Sequence, residues 1–224
     1  MAEEEYSRFY IAGNPVRRVV IESPVHPVGF HPSNKMGGLV SWESHIEADA
    51  ALIMEMSWNI TSFEAQPECL QYPTPHGIAE TTPDFRIQID GETIMVECKP
   101  DKALDKPELV ETFEQIAAAY ARKKIRYEVW TASMIRSGHR LATLKLLWRY
   151  CRKPLARTSP IIQDIQTMAS CLPQTVGDLL GNFHHRADGL RALAHGVHQG
   201  LFTVDFTGPF SNETVVSPRL NPAR

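Results

Sequence analysis

The segment TPDFRIQIDGETIMVECKP, residues 82–100, constrains the fold more than any other part of the chain. Asp90-Gly91 separates two runs in which apolar and polar residues alternate. A two-residue type I′ turn needs positive φ at both central positions, and Asp-Gly supplies it. The register follows from the turn. Ile89 lies opposite Glu92, Ile87 opposite Ile94, Phe85 opposite Val96, and Asp84 opposite Glu97. Side chains alternate across a sheet. Phe85, Ile87, Ile89, Ile94, Val96 and Cys98 therefore form a core face, and Asp84, Glu97 and Lys99 gather at one end of the other face. Two carboxylates directly opposite each other destabilise a strand pair. A divalent cation reverses the sign of that interaction. Mg²⁺ takes hard oxygen ligands, commonly one or two carboxylates with phosphate or water. Lys99 on the same face would orient or deprotonate a water, or stabilise charge developing on a phosphate. A simple Lys99–carboxylate salt bridge is the structural alternative.

The surrounding elements predict a mixed sheet with helices packed on it. Residues 22–38, rich in Pro, Gly and His, read as loop after a strand around Val16 to Ile21. Trp42, Ile46, Ala50 and Ile53 recur at helical spacing, with Leu52 and Met56 widening the stripe. ITSFEA and ECLQYP read as strands broken at Pro67. ELVETFEQIAAAYARKK reads as a helix, RYEVWTA as a strand and HRLATLKLLWRYCRK as a helix. KPLARTSP, residues 153–160, reads as a linker, which places domains at 1–152 and 153–224. Three short helices and a terminal hairpin follow, the order of a small helical or winged-helix module.

Composition narrows the partners. A net charge of −3 on 224 residues means that any nucleic-acid contact comes from a local patch. Residues 122–153 are such a patch, with Lys123, Lys124, Arg126, Lys145, Arg149 and Arg152 as candidate phosphate contacts. None of Cys69, Cys98, Cys151 and Cys171 has zinc-ligand spacing, so they read as reduced thiols of a cytosolic protein. No run of about 18 apolar residues is present, so no membrane span is expected. His184, His185, His195 and His198 read as polar surface residues, and Asp178 and Asp188 as helix-start residues.

Pro83-Asp84, twelve intervening residues, then Glu97-Cys98-Lys99 resembles the core motif of the PD-(D/E)XK nuclease superfamily. Residues 32–67 resemble the start of one branch, the TnsA endonucleases, through Ser33 and Lys35, Glu43-Ser44-His45-Ile46-Glu47, the apolar helix after it and Gln66-Pro67. Residues 127–150 resemble the following strand and helix. The helix start departs from the family pattern at His45 and at Ala48-Asp49. The resemblance implies an α/β, restriction-endonuclease-like mixed sheet flanked by helices, with a small C-terminal helical or winged-helix-like domain. It implies a Mg²⁺-dependent endodeoxyribonuclease, with Mn²⁺ able to substitute, that cuts the non-transferred strand at the 5′ ends of a transposon. Glu47, Asp84, Glu97 and Lys99 would be catalytic, the three carboxylates holding metal. Gln66 and Glu43 are accessory candidates. Double-stranded DNA, a partner transposase subunit and an AAA+ ATPase regulator bound through the C-terminal domain are the implied partners, in the bacterial cytoplasm at the nucleoid. A stand-alone nuclease and a non-catalytic transposition scaffold are the alternatives. Ser44 to Glu47 is also a capping-box pattern, a purely structural role for Glu47.

Overall fold

The computed structural model describes residues 27–155, 159–171 and 173–219. The strand expected around Val16 to Ile21 lies outside the described residues. The chain divides into two compact units, residues 1–54 with 60–135, and residues 55–59 with 136–224.

The first unit is built on the predicted hairpin. Strands β1 (Gly29–Ser33) and β2 (Gly38–Trp42) come first, followed by helix α1 (His45–Met56), whose last two residues group with the second unit. Then come β3 (Ile60–Ala65), β4 (Leu70–Thr74), β5 (Gly77–Thr81), β6 (Phe85–Ile89) and β7 (Glu92–Lys99). Helix α2 (Pro107–Arg122), strand β8 (Arg126–Thr131) and the short helix α3 (Ala132–Ile135) complete it. The principal sheet has the order β3-β6-β7-β8. Its first three strands are antiparallel and β8 runs parallel to β7, which makes it a mixed sheet flanked by helices. Asp90 and Gly91 both have positive φ, 49° and 85°, and the β6–β7 register is the one their turn dictates, from Ile89 opposite Glu92 to Phe85 opposite Val96.

Strand β7 is buried on both faces. Ile94, Val96 and Cys98 line one face, while Met95 on the other packs with Leu70, Tyr72, Ile116, Ala119 and Tyr120. The face expected to carry only terminal charges is thus a second core layer, covered by α2 and β4. Glu97 is drawn into it and is only 8% exposed.

Three local readings change. Residues 29–42, read as loop running into a helix, form an antiparallel hairpin. Gly37, at φ 66°, turns the chain, so Trp42 sits in a strand and the helix starts at His45. Lys35, in the turn, donates from Nζ to the carbonyls of Met54 and Ile60, both at 2.7 Å. It thereby satisfies an orphan carbonyl near the helix end. Strand β5 was not anticipated; it pairs with β4 as a separate two-stranded sheet.

The second unit contains α4 (Arg140–Cys151), α5 (Ile161–Cys171), β9 (Gln174–Thr175), α6 (Val176–Gly181), α7 (Arg186–His198), β10 (Phe202–Val204) and β11 (Val215–Pro218). Helices α4 and α5 both pack on α7, and the small sheet has the order β10-β11-β9. Helix α4 was read as the last element of the first domain. Its buried face of Leu144, Leu147, Trp148 and Cys151 belongs to the second unit, so the division falls after Ile135 and not after residue 152. Asp178 does sit at a helix start, where Thr175 caps α6 by accepting from its backbone N–H at 3.1 Å. His195 and His198 are not surface residues. His195 is 3% exposed, and burial pulls its pKa down to about 4. His198 Nε2 lies 2.8 Å from the fully buried Glu55.

Gly196 lets α7 pass close to β10. A Cβ at that position would overlap the Phe202 ring. Glycine to alanine inside a helix normally stabilises by about 1 kcal/mol. Here overpacking should win, and Gly196→Ala should lower stability by about 1–3 kcal/mol in urea denaturation. A neutral or stabilising effect would mean that the ring moves aside freely.

Candidate active site

The C-terminal end of β7 collects the charged residues singled out by the sequence. Glu97 and Lys99 share one face of the strand. Lys99 Nζ lies 2.5 Å from Glu97 Oε1. Asp84 immediately precedes β6. The ladder ends at Phe85–Val96, so Asp84 does not face Glu97 as a paired strand residue. Its Oδ2 instead accepts from the backbone N–H of Cys98 at 2.7 Å. That bond extends the hairpin by a side chain where the backbone pairing stops, and it fixes Asp84 between Glu97 and Lys99 along the chain.

Glu47 makes the capping box. Ser44 Oγ accepts from the Glu47 N–H at 3.1 Å and donates to Glu47 Oε1 at 2.8 Å. Glu47 Oε2 accepts from the backbone N–H of Glu43 at 2.8 Å. Ser44 caps the helix start, and Ser41 is buried in the preceding strand β2. The structural role and proximity to the other carboxylates coexist. Burial first, and then the negative charge of Asp84, raise the Glu47 pKa from 4.5 to about 7, against the lowering effect of its two hydrogen bonds. Lys99 feels the same carboxylates. Burial would lower its pKa, but Glu97, Asp84 and Glu47 together outweigh burial and raise it. The Cys98 thiol is pushed up by burial and then by Asp84, Glu47 and Glu97, so it stays protonated.

Gln66 joins this group through the backbone. It follows β3, and its N–H donates to the Asp84 carbonyl at 2.9 Å. It holds φ of 48°, a left-handed conformation uncommon for a residue with a side chain. Gln66 is 3% exposed, and its Oε1 has no hydrogen-bond partner among the described residues; neither has Glu97 Oε2. Two buried acceptor oxygens without donors are what a hard cation satisfies, and every candidate ligand here is an oxygen. In donor type the residues fit Mg²⁺. They are not drawn together as ligands: among the described residues no group of three or more His, Cys, Asp or Glu is placed to hold a metal ion. The capping box, the Cys98 amide and the Lys99 ammonium each occupy one of the three carboxylates.

The basic candidates separate. Strand β8 is parallel to β7, with Arg126 beside Ile94 and Thr131 beside Lys99. Arg126 is therefore five residues, about 17 Å, from the Lys99 end of the sheet. It also pairs with Glu128 at 2.5 Å and with Glu92 at 3.4 Å. Lys123 and Lys124 sit in the turn just before it, at the same far end. Lys145 and Arg149 stand on the exposed side of α4 and Arg152 follows its end, all in the second unit. The accessory candidate Glu43 contributes its backbone N–H to Glu47. The sequence reading missed the burial of Glu97. The run IMVEC, with no polar alternation in its middle, was the available signal.

A comparison with protein-family models finds no match to the chain, and a comparison with curated proteins finds none either.

Glu47 holds its proton more tightly when folded, so between about pH 4.5 and about 7 the folded state binds more protons than the unfolded. Its contribution to stability is present below that window and is lost as pH rises through it. In urea denaturation with chelator present, Glu47→Gln should keep the capping box and remove this loss. The variant should gain on the wild type as pH rises across the window, and an unchanged difference would show that Glu47 is not in the environment described.

Proposed function

We propose that this chain is a TnsA-like endonuclease subunit of a cut-and-paste transposase, hydrolysing the non-transferred strand at the 5′ transposon ends with Mg²⁺, which Mn²⁺ can replace. The observation that carries the reading is the Lys99–Glu97 ion pair at the end of a buried strand, with Asp84 bound to the N–H of the intervening Cys98. A folded chain gains little from like charges held together out of water. The mixed sheet with a Pro-Asp start to one strand and Glu-Cys-Lys at the end of its partner supports a restriction-endonuclease-like fold.

In this reading Asp84, Glu97 and Glu47 hold the cation, with Glu43 and Gln66 beside them. The bound ion would supply positive charge to a phosphodiester under attack. The chain's own residues do the rest. Lys99, with a raised pKa, stays an ammonium at neutral pH. It therefore orients the attacking water and stabilises charge on the phosphate, and it does not act as the base. The order α5, β9, α6, α7, β10, β11, with the last strand central in the sheet, supports a winged-helix-like module for a partner transposase and an AAA+ ATPase. The exposed Lys145, Arg149 and Arg152 are the candidate contacts to transposon-end DNA.

A non-catalytic scaffold is the second reading, favoured by the capping box of Glu47 and the Lys99–Glu97 pair. Calorimetry with Mn²⁺ and Mg²⁺, with and without duplex DNA, separates the two. The wild type should bind the ion, Asp84→Ala should abolish the binding, and Lys99→Ala should retain it while losing strand cleavage beside the partner transposase. No binding even with DNA present would leave the scaffold.

A further inference from the structure

The second unit contains a pocket of about 110 Å³. Its polar lining is Ser57, Trp58, Asn59, Arg140, Thr203 and Arg219, and the rest is apolar. No acidic residue lines it. The Arg219 guanidinium lies 4.3 Å above the centre of the Trp58 ring. Arg140 Nη2 donates to Ser57 Oγ at 3.1 Å. Among the described residues neither guanidinium has a carboxylate partner, in contrast to Arg86 with Glu64 and Arg126 with Glu128. The pKa values of both arginines are drawn down by burial, and no neighbouring charge contributes.

Two guanidinium groups on the wall of one small pocket that has no acidic residue favour an anionic occupant. A guanidinium has five N–H donors in a rigid fork. Arg140 uses one on Ser57, and Arg219 sits over an indole, a contact that helps to order its fork. The hydroxyl of Thr203, also in the lining, adds a further donor. A carboxylate offers two oxygens to such a set. A phosphate group offers up to four, and Arg forks match them in bidentate pairs. The apolar walls strengthen the attraction by lowering the local dielectric.

We infer that this pocket is a phosphate-binding site, with Arg140 and Arg219 as its paired anchors. It lies in a different unit from the carboxylate group and does not depend on whether that group cleaves DNA. The phosphate is either that of a nucleic-acid backbone or that of a free phosphorylated ligand.

The first probe is inorganic phosphate, titrated into the full chain at constant ionic strength against chloride and acetate. Saturable binding by calorimetry is expected, together with shifts of two arginine side-chain Nε–H resonances in the wild type. Arg140→Gln and Arg219→Gln should each weaken phosphate binding about tenfold or more. The wild-type resonances keep the inference testable if a variant does not fold. Absence of saturable binding, an equal response to acetate, or variants that bind as the wild type does would overturn it. Duplex DNA identifies the source. If the phosphate is DNA's, each arginine variant should reduce the salt dependence of DNA binding by about 0.9 in log–log slope. An unchanged slope with phosphate binding intact assigns a free phosphorylated ligand.

Discussion

A two-residue turn decides which charges can meet in this protein. With Asp90 and Gly91 both at positive φ, β6 and β7 have one register available, and a slip by one residue would exchange the two faces of each strand. Both faces of β7 are buried, so the cost of such a slip falls on Ile94, Val96 and Cys98 on one side and on Met95 and Glu97 on the other. Everything at the site depends on that register. It sets Asp84 beside the Cys98 amide, next to the face that carries Glu97 and Lys99, while the separate β7–β8 register places Arg126 at the opposite end.

What the sequence disclosed, and what it did not, divides along the range of the interactions involved. Turn chemistry and alternation are local, so the β6–β7 register, the break at Pro67 and helices α2 and α4 were legible as elements. The identity of neighbours was not. Glu97 looked like an exposed strand-end charge because a strand's own alternation says nothing of what covers its outer face; α2 and β4 arrive from elsewhere in the chain to do so. Arg126 looked like a member of a basic patch, yet Glu92, 34 positions away in sequence, pairs with it across the sheet. Glu47 carried two readings from the start, cap and site carboxylate. The fold realises the first through the bonds of Glu47 to Ser44 and to the Glu43 N–H.

The second unit shows the same principle with a different outcome. His195 and His198 lie three apart on a helix, which suggested an exposed polar face. Their burial comes from α4, α5 and β10 packing on α7, and Glu55, fully buried, supplies the partner for His198. A buried carboxylate without such a partner would cost several kcal/mol. Chain 55–59 is separated from the rest of this unit in sequence, so no local pattern could have linked Glu55 to His198 or Trp58 to Arg219.

The carboxylate site remains under-satisfied by its own residues. Lys99 engages one oxygen of Glu97, while the other oxygen and the Gln66 carbonyl are buried without donors. Each such acceptor costs about 1–3 kcal/mol. Gln66 adds backbone strain of about 1–3 kcal/mol by holding positive φ. Glu47 is kept near its own neutralisation point by burial and by Asp84. Apolar residues would fill this space at lower cost, and the rest of the β6–β7 core shows that the chain uses them freely. Rules of local consistency are broken in natural proteins chiefly where a site requires it. Glu47, Glu97 and Gln66 each break one, and Glu97 and Gln66 do so through surplus acceptors. A cation with hard oxygen preferences would relieve the two orphaned oxygens and the crowded charge of Glu47 but not the backbone strain at Gln66, whereas a further hydrogen-bond donor would relieve only the two orphaned oxygens.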